Sequence, residues 1–109
     1  MTHNIINAQV ATANINSETF DMNGQSAGRN MSFTANTTSF NAADATVKLQ
    51  HSNDNTNWEN VTDGSITIAS GTATQSLTPI TNIAMRYYRI VYTKNSNSAG
   101  TITVIINIQ

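Results

Sequence analysis

The stretch Thr101-Ile102-Thr103-Val104-Ile105-Ile106-Asn107-Ile108 decides the fold class. Ile102, Val104, Ile106 and Ile108 recur every second residue, and a period of two lines them along one face of a β-strand. Thr101, Thr103 and Asn107 fall on the other face, where Ile105 predicts partial cover. Upstream, residues 95–100 (NSNSAG) read as a polar hairpin loop. Before it, residues 84–94 (AMRYYRIVYTK) form a second strand. There Tyr88, Ile90 and Tyr92 share one face, and Met85, Tyr87, Arg89 and Val91 share the opposite one. Bulk on both faces predicts a central or covered strand.

Further upstream, Thr46–Ser52 (TVKLQHS) sets Val47, Leu49 and His51 against Lys48 and Gln50. Residues 53–57 make a turn, and Trp58 opens the returning segment WENV. Asp63-Gly64 reads as a turn before a short strand at 65–69, and Ser70-Gly71 as another before 72–77. In the first half, residues 5–13, 17–22 and 31–40 read as strands or edge segments. The reading is all-β: a single antiparallel β-sandwich, immunoglobulin-like or jelly-roll-like, of about seven or eight strands. The sandwich domain spans residues 13–109. Residues 1–12 are an N-terminal arm or an edge strand, and deleting them is expected to leave the sandwich folded.

Composition agrees. The chain has 109 residues, enough for one domain. Only 10% of its residues are charged, whereas 16 Asn, 17 Thr and 10 Ser supply its polarity. Two leucines and two glutamates argue against a helical bundle or coiled coil. A net charge of −1 offers no electrostatic footprint for nucleic acid or an anionic membrane. No apolar run is long enough to span a bilayer, and MTHNIINAQV has neither the basic nor the apolar region of a signal peptide. Without cysteine there is no disulfide or thiolate chemistry.

Catalytic and metal patterns are equally sparse. His3 and His51 have no ligand spacing, and His51 lies on the apolar side of its strand, so no metal or other cofactor is expected. Residues 53–57 (NDNTN) echo a calcium loop, but Trp58 replaces the required glycine and Gly64 the bidentate acid. Asx turns explain that loop better. No nucleophile elbow or phosphate loop exists, and no enzyme is expected.

The aromatic residues have two readings. In the first, Trp58, Tyr88, Ile90 and Leu49 anchor the core with Val47 and Ile106, and Trp58→Ala costs roughly 3–5 kcal/mol. In the second, Trp58, Tyr87 and Tyr92 contact a glycan. Arg86 and Arg89, on opposite faces of one strand, are expected to be structural or interface residues, with Asp44, Asp54, Glu59 or Asp63 as acidic partners. Ile5 and Ile6 have no obvious internal strand partner and are assigned to an intersubunit contact.

Three segments together carry a resemblance: TVKLQHSNDNTNW (residues 46–58), RYYRIVYT (86–93) and TITVIINI (101–108). They resemble a β-sandwich module of tailed-phage virion proteins, and SETFDMNG and NMSFTAN in residues 17–36 are similar to that module's first two strands. Asn55 stands where glycine is common in that hairpin. The Ser52-x-Asp54-x-x-x-Trp58 spacing is also similar to discoidin-like sugar- and lipid-binding sandwiches. The phage resemblance implies a virion structural protein, above all a capsid decoration or auxiliary subunit made in the host cytoplasm. It further implies a homo-oligomer, a trimer by that likeness, with the major capsid protein as a partner and no nucleic acid or membrane contact. The discoidin likeness implies a carbohydrate-binding adhesion module instead. Sparse charge suits the first, because interface centres are poor in charge, and it equally suits the second.

Overall fold

The computed structural model describes residues 2–109. Ten strands make two antiparallel sheets: β1 (Thr2–Val10), β2 (Ile15–Asn16), β3 (Phe20–Asp21), β4 (Arg29–Phe40), β5 (Thr46–Ser52), β6 (Glu59–Thr67), β7 (Gly71–Ser76), β8 (Ile80–Ile83), β9 (Tyr87–Thr93) and β10 (Thr101–Ile108). Sheet A runs β1-β10-β4-β7, with β8 also on β4; sheet B runs β2-β9-β5-β6, with β3 also on β9. Thus β7 and β8 pair with successive stretches of β4, and β2 and β3 with successive stretches of β9. Pro79, which cannot donate to a ladder, separates β7 from β8. Counting each pair as one interrupted edge strand leaves eight, within the seven or eight that the turn spacing predicts.

Alternation decides what is buried. Val47 and Leu49 of β5, Tyr88, Ile90 and Tyr92 of β9, and Ile102, Val104, Ile106 and Ile108 of β10 all point into the space between the sheets. From β4, Met31, Phe33 and Ala35 face them. Dispersion and the hydrophobic effect act there on side chains held in register by the ladders.

Two irregular strands depart from the sequence reading. β1 pairs with β10 from Thr2↔Asn107 to Val10↔Thr101, with register shifts between Asn4 and Ile6 and between Ile6 and Gln9. The first shift lets the adjacent Ile5 and Ile6 both enter the core, at 5% and 1% exposure. These residues therefore contact their own chain, correcting the assignment of Ile5 and Ile6 to an intersubunit contact. The segment is an edge strand. In β6, Asp63-Gly64 is not a turn between strands but part of a bulge. Lys48 pairs with Ser65 and Gln50 already with Asn60, so residues 61–64 loop out of the ladder. Asp63 takes a left-handed φ of 61° there.

The end of the sandwich near the β9–β10 loop is closed by a buried polar knot. Asn97 is fully buried. Its Nδ2 donates to the carbonyls of Ala99 (2.8 Å) and Ala11 (3.2 Å) and to the Tyr92 hydroxyl (3.2 Å), and its Oδ1 accepts the Asn41 N–H at 3.0 Å. Tyr92 itself donates to the Ala11 carbonyl at 2.9 Å. Burial pushes the Tyr92 hydroxyl above its ordinary pKa. One asparagine thus ties together the loop, β9 and the segments following β1 and β4.

Candidate functional site

With the core defined, the two outer faces differ in chemistry. The register places Thr101, Thr103, Ile105 and Asn107 of β10 beside Thr38, Asn36, Thr34 and Ser32 of β4 on the outside of sheet A. Asn4 and Thr2 of β1 flank Ile105 and Asn107, while Ser76 and Thr74 of β7 flank Thr34 and Asn36. Hydroxyls and amides bond across the strands, Thr34 to Ser76 at 2.9 Å and Thr74 to Asn36 at 2.8 Å. Among the described residues, no Asp, Glu, Lys or Arg stands in these rows. Ile105 forms a half-buried apolar centre within a neutral polar surround.

The outside of sheet B holds charge and aromatic surface. Lys48 and Gln50 of β5 stand beside Val91 and Arg89 of β9, and Tyr87 follows on the same face. Trp58 belongs here, which corrects its assignment as a core anchor. It is partly exposed, and the Arg89 guanidinium lies 4.4 Å from its ring centroid. Tyr88, Ile90 and Leu49 do lie in the core. Trp58 lies outside the core and loses less burial than a core aromatic, so its replacement by Ala should cost less than roughly 3 kcal/mol. Urea denaturation of Trp58→Ala checks this against the 3–5 kcal/mol that a core residue would lose.

Of the glycan contacts expected from sequence, Tyr92 is excluded because it is fully buried. Tyr87 remains half-exposed beneath the Arg86 guanidinium, 4.9 Å from its ring centroid. The arginines find different partners from those expected. Arg86 makes a two-pronged bond to Asp21, Nε to Oδ1 at 3.0 Å and Nη2 to Oδ2 at 3.1 Å, which lowers the Asp21 pKa. Arg89 donates Nε–H to Gln50 Oε1 at 2.8 Å and has no acid within ion-pair distance among the described residues. Asp21 escaped the sequence reading because β3 meets β9 only through tertiary pairing.

The β5–β6 turn is organised by Asp54. Its Oδ1 accepts the backbone N–H groups of Asn57 (2.8 Å) and Thr56 (2.9 Å) and the Ser52 hydroxyl (2.9 Å), while Oδ2 accepts Asn57 Nδ2 at 2.8 Å. Asn55 takes the left-handed φ of 59° that glycine would accept more readily, and an asparagine tolerates it. The two backbone donors, led by Asn57, hold the Asp54 carboxyl far below the usual carboxylate range. A lowered folded-state pKa stabilises the fold above the unfolded-state value of about 3.9, and that contribution disappears as pH falls through the folded value. Acid denaturation below about pH 4 should therefore be shallower in Asp54→Asn than in the parent chain, as followed by circular dichroism.

His51 packs edge-on to Tyr88 at 6.1 Å between ring centroids, and His3 meets Glu18 at 2.7 Å. Among the described residues no group of three or more His, Asp or Glu side chains lies close enough to hold a metal ion. Open surface grooves among the described residues include ones of about 300 Å³ and 310 Å³. Phe20, Asp21, Met22 and Arg29 help line the first; Asp63, Pro79 and Ile80 help line the second.

No protein-family model and no curated protein sequence matches this chain. Solved structures do resemble it. The PBSX exported protein XepA superposes with a TM-score of 0.65 at 16% identity, over 99% of this chain and 36% of XepA. This chain therefore spans about a third of XepA's length. The SPBc2 prophage-derived protein YomS superposes with a TM-score of 0.58 at 13% identity, covering 100% of this chain and 92% of YomS. The Yersinia pseudotuberculosis-derived mitogen gives 0.59 at 12% identity, over 97% and 83% of the two chains. At these identities the likeness is one of fold.

Proposed function

We propose that this protein is a non-enzymatic structural subunit of a phage particle, a capsid auxiliary or decoration protein. It packs against copies of itself and against shell proteins such as the major capsid protein. The uncharged outer face of sheet A carries this reading. A free protein surface ordinarily relies on mixed charge for solubility. Here all the charged side chains among the described residues lie elsewhere, leaving hydroxyls and amides around Ile105. Interfaces concentrate such chemistry, an apolar centre within a neutral polar rim. Such a face can meet a second copy without desolvating a single charge. The prophage-derived YomS and the PBSX protein XepA share the sandwich, which supports a phage setting. The trimeric state rests on the resemblance to virion proteins, as does the location in the particle.

Asn36→Glu tests the reading. It places a charge in the middle row of the face, between Thr103 and Thr74. Desolvating one carboxylate at an interface costs several kcal/mol, so purified particles should lose the variant almost completely while carrying the parent chain. Mass spectrometry of the particles reads this. Particles that retain Asn36→Glu at parental occupancy, or that never contain the parent chain, overturn the reading.

A further inference from the structure

The outside of sheet B contains a hydrogen-bond relay whose direction is fixed. Arg89 has only donors, so its Nε–H must meet the carbonyl oxygen of Gln50, leaving the Gln50 amide nitrogen as a donor. That nitrogen donates to Asn60 Oδ1 at 2.9 Å, which turns the Asn60 amide nitrogen outward as a donor in its turn. Neither the Nη groups of Arg89 nor Asn60 Nδ2 has a protein partner among the described residues. Lys48 adds an ammonium with no acid in ion-pair reach among the described residues.

The register makes Lys48 and Arg89 diagonal neighbours, since Lys48 opposes Val91 and Gln50 opposes Arg89. Such positions lie about 7–8 Å apart, within mutual reach of long side chains. Two unpaired cations side by side repel each other mildly, and an anion between them removes that cost. Trp58 braces the guanidinium from one side and still exposes part of its own ring. The patch therefore offers two positive charges, the unpaired donors of Arg89, Lys48 and Asn60, and part of an aromatic ring.

We propose that this patch binds a carboxylate-bearing saccharide. Its carboxylate would sit between Lys48 and Arg89, its hydroxyl oxygens would accept from Asn60, and the apolar side of its ring would lie against Trp58. The proposal goes beyond the shell reading and does not depend on it, because the patch lies on the opposite sheet from the assembly face. A bound acidic sugar would suit a particle or adhesin that meets an anionic cell-surface glycan.

Trp58 is the chain's only tryptophan, so its fluorescence reports this site alone. Titration of the full chain with trigalacturonate should give a saturable change with a Kd of about 1 mM or tighter. The neutral trisaccharide maltotriose and inorganic phosphate should bind at least about tenfold more weakly, and raising salt should weaken the uronate. Lys48→Gln should weaken binding about tenfold. Asn60→Asp, an exposed change that replaces a donor by an acceptor and adds a negative charge, should abolish it. No response to trigalacturonate up to about 10 mM overturns the proposal. Equal binding of maltotriose or phosphate, or parental affinity in Asn60→Asp, overturns it too.

Discussion

Removing residues 1–12 should unfold the sandwich. Ile5 and Ile6 leave the core with the segment, and so does the buried Ala11. The two isoleucines alone contribute about 3–6 kcal/mol of burial. A domain of this size commonly has only about 5–15 kcal/mol in total. The deletion also uncovers the edge of β10, whose backbone groups now pair with β1 from Asn107 to Thr101. Ala11 anchors the end of the molecule as well, since its N–H donates to the Gly100 carbonyl at 2.9 Å and its carbonyl accepts from Tyr92. The expected outcome is loss of cooperative thermal unfolding by circular dichroism, with aggregation through the bared strand. A truncated chain that melts cooperatively within a few degrees of the parent would return the segment to the role of a free arm.

Asn97→Ala should be strongly destabilising although it lies in a loop. The change strands the Asn41 N–H, whose acceptor is Asn97 Oδ1, and takes a donor from the Ala99 carbonyl. Each buried group left unsatisfied costs about 1–3 kcal/mol, so a total of roughly 2–6 kcal/mol is expected for the two. Tyr92→Phe removes only a hydroxyl from the same knot and should cost about 1–2 kcal/mol. The two residues share partners, so their effects should not add. Urea titrations resolve this as midpoint shifts at constant slope. An Asn97→Ala midpoint within error of the parent would show that water replaces the amide without loss.

Much of this architecture is legible in the residues, and the exceptions have physical causes. Period-two patterns in β5, β9 and β10 identify both core-facing rows because a strand buried on one side must alternate. β1 hides the same information: Ile5 and Ile6 are adjacent, and only a register shift lets both turn inward. Asp63-Gly64 carries a turn signal and does bend the chain, but in a bulge that then rejoins the ladder. Asn97 sits in a polar run that reads as solvent-exposed, and nothing local marks it as buried.

The candidate sites divide in the same way. The neutral rows of β4 and β10 are visible in sequence as Ser32-x-Thr34-x-Asn36-x-Thr38 and Thr101-x-Thr103-x-Ile105-x-Asn107. That they lie side by side is a matter of topology, because 60 or more residues separate them. The general habits of tryptophan place Trp58 in the core. Its actual face follows from the length of the Asp54 turn and from the guanidinium stacked against it. Of the glycan contacts expected from sequence, Tyr92 is buried, while Trp58 shares its face of sheet B with Arg89, Gln50, Lys48 and Asn60.

The proposed assembly surface is the outer face of sheet A. Native mass in solution tests it most directly, measured on the parent chain and on Asn36→Glu at the same concentration. An assembly surface there should give a discrete multiple of 11.7 kDa for the parent, a trimer on the virion resemblance, and 11.7 kDa for the folded variant. A parent chain that stays at 11.7 kDa, or a variant that assembles as the parent does, contradicts it.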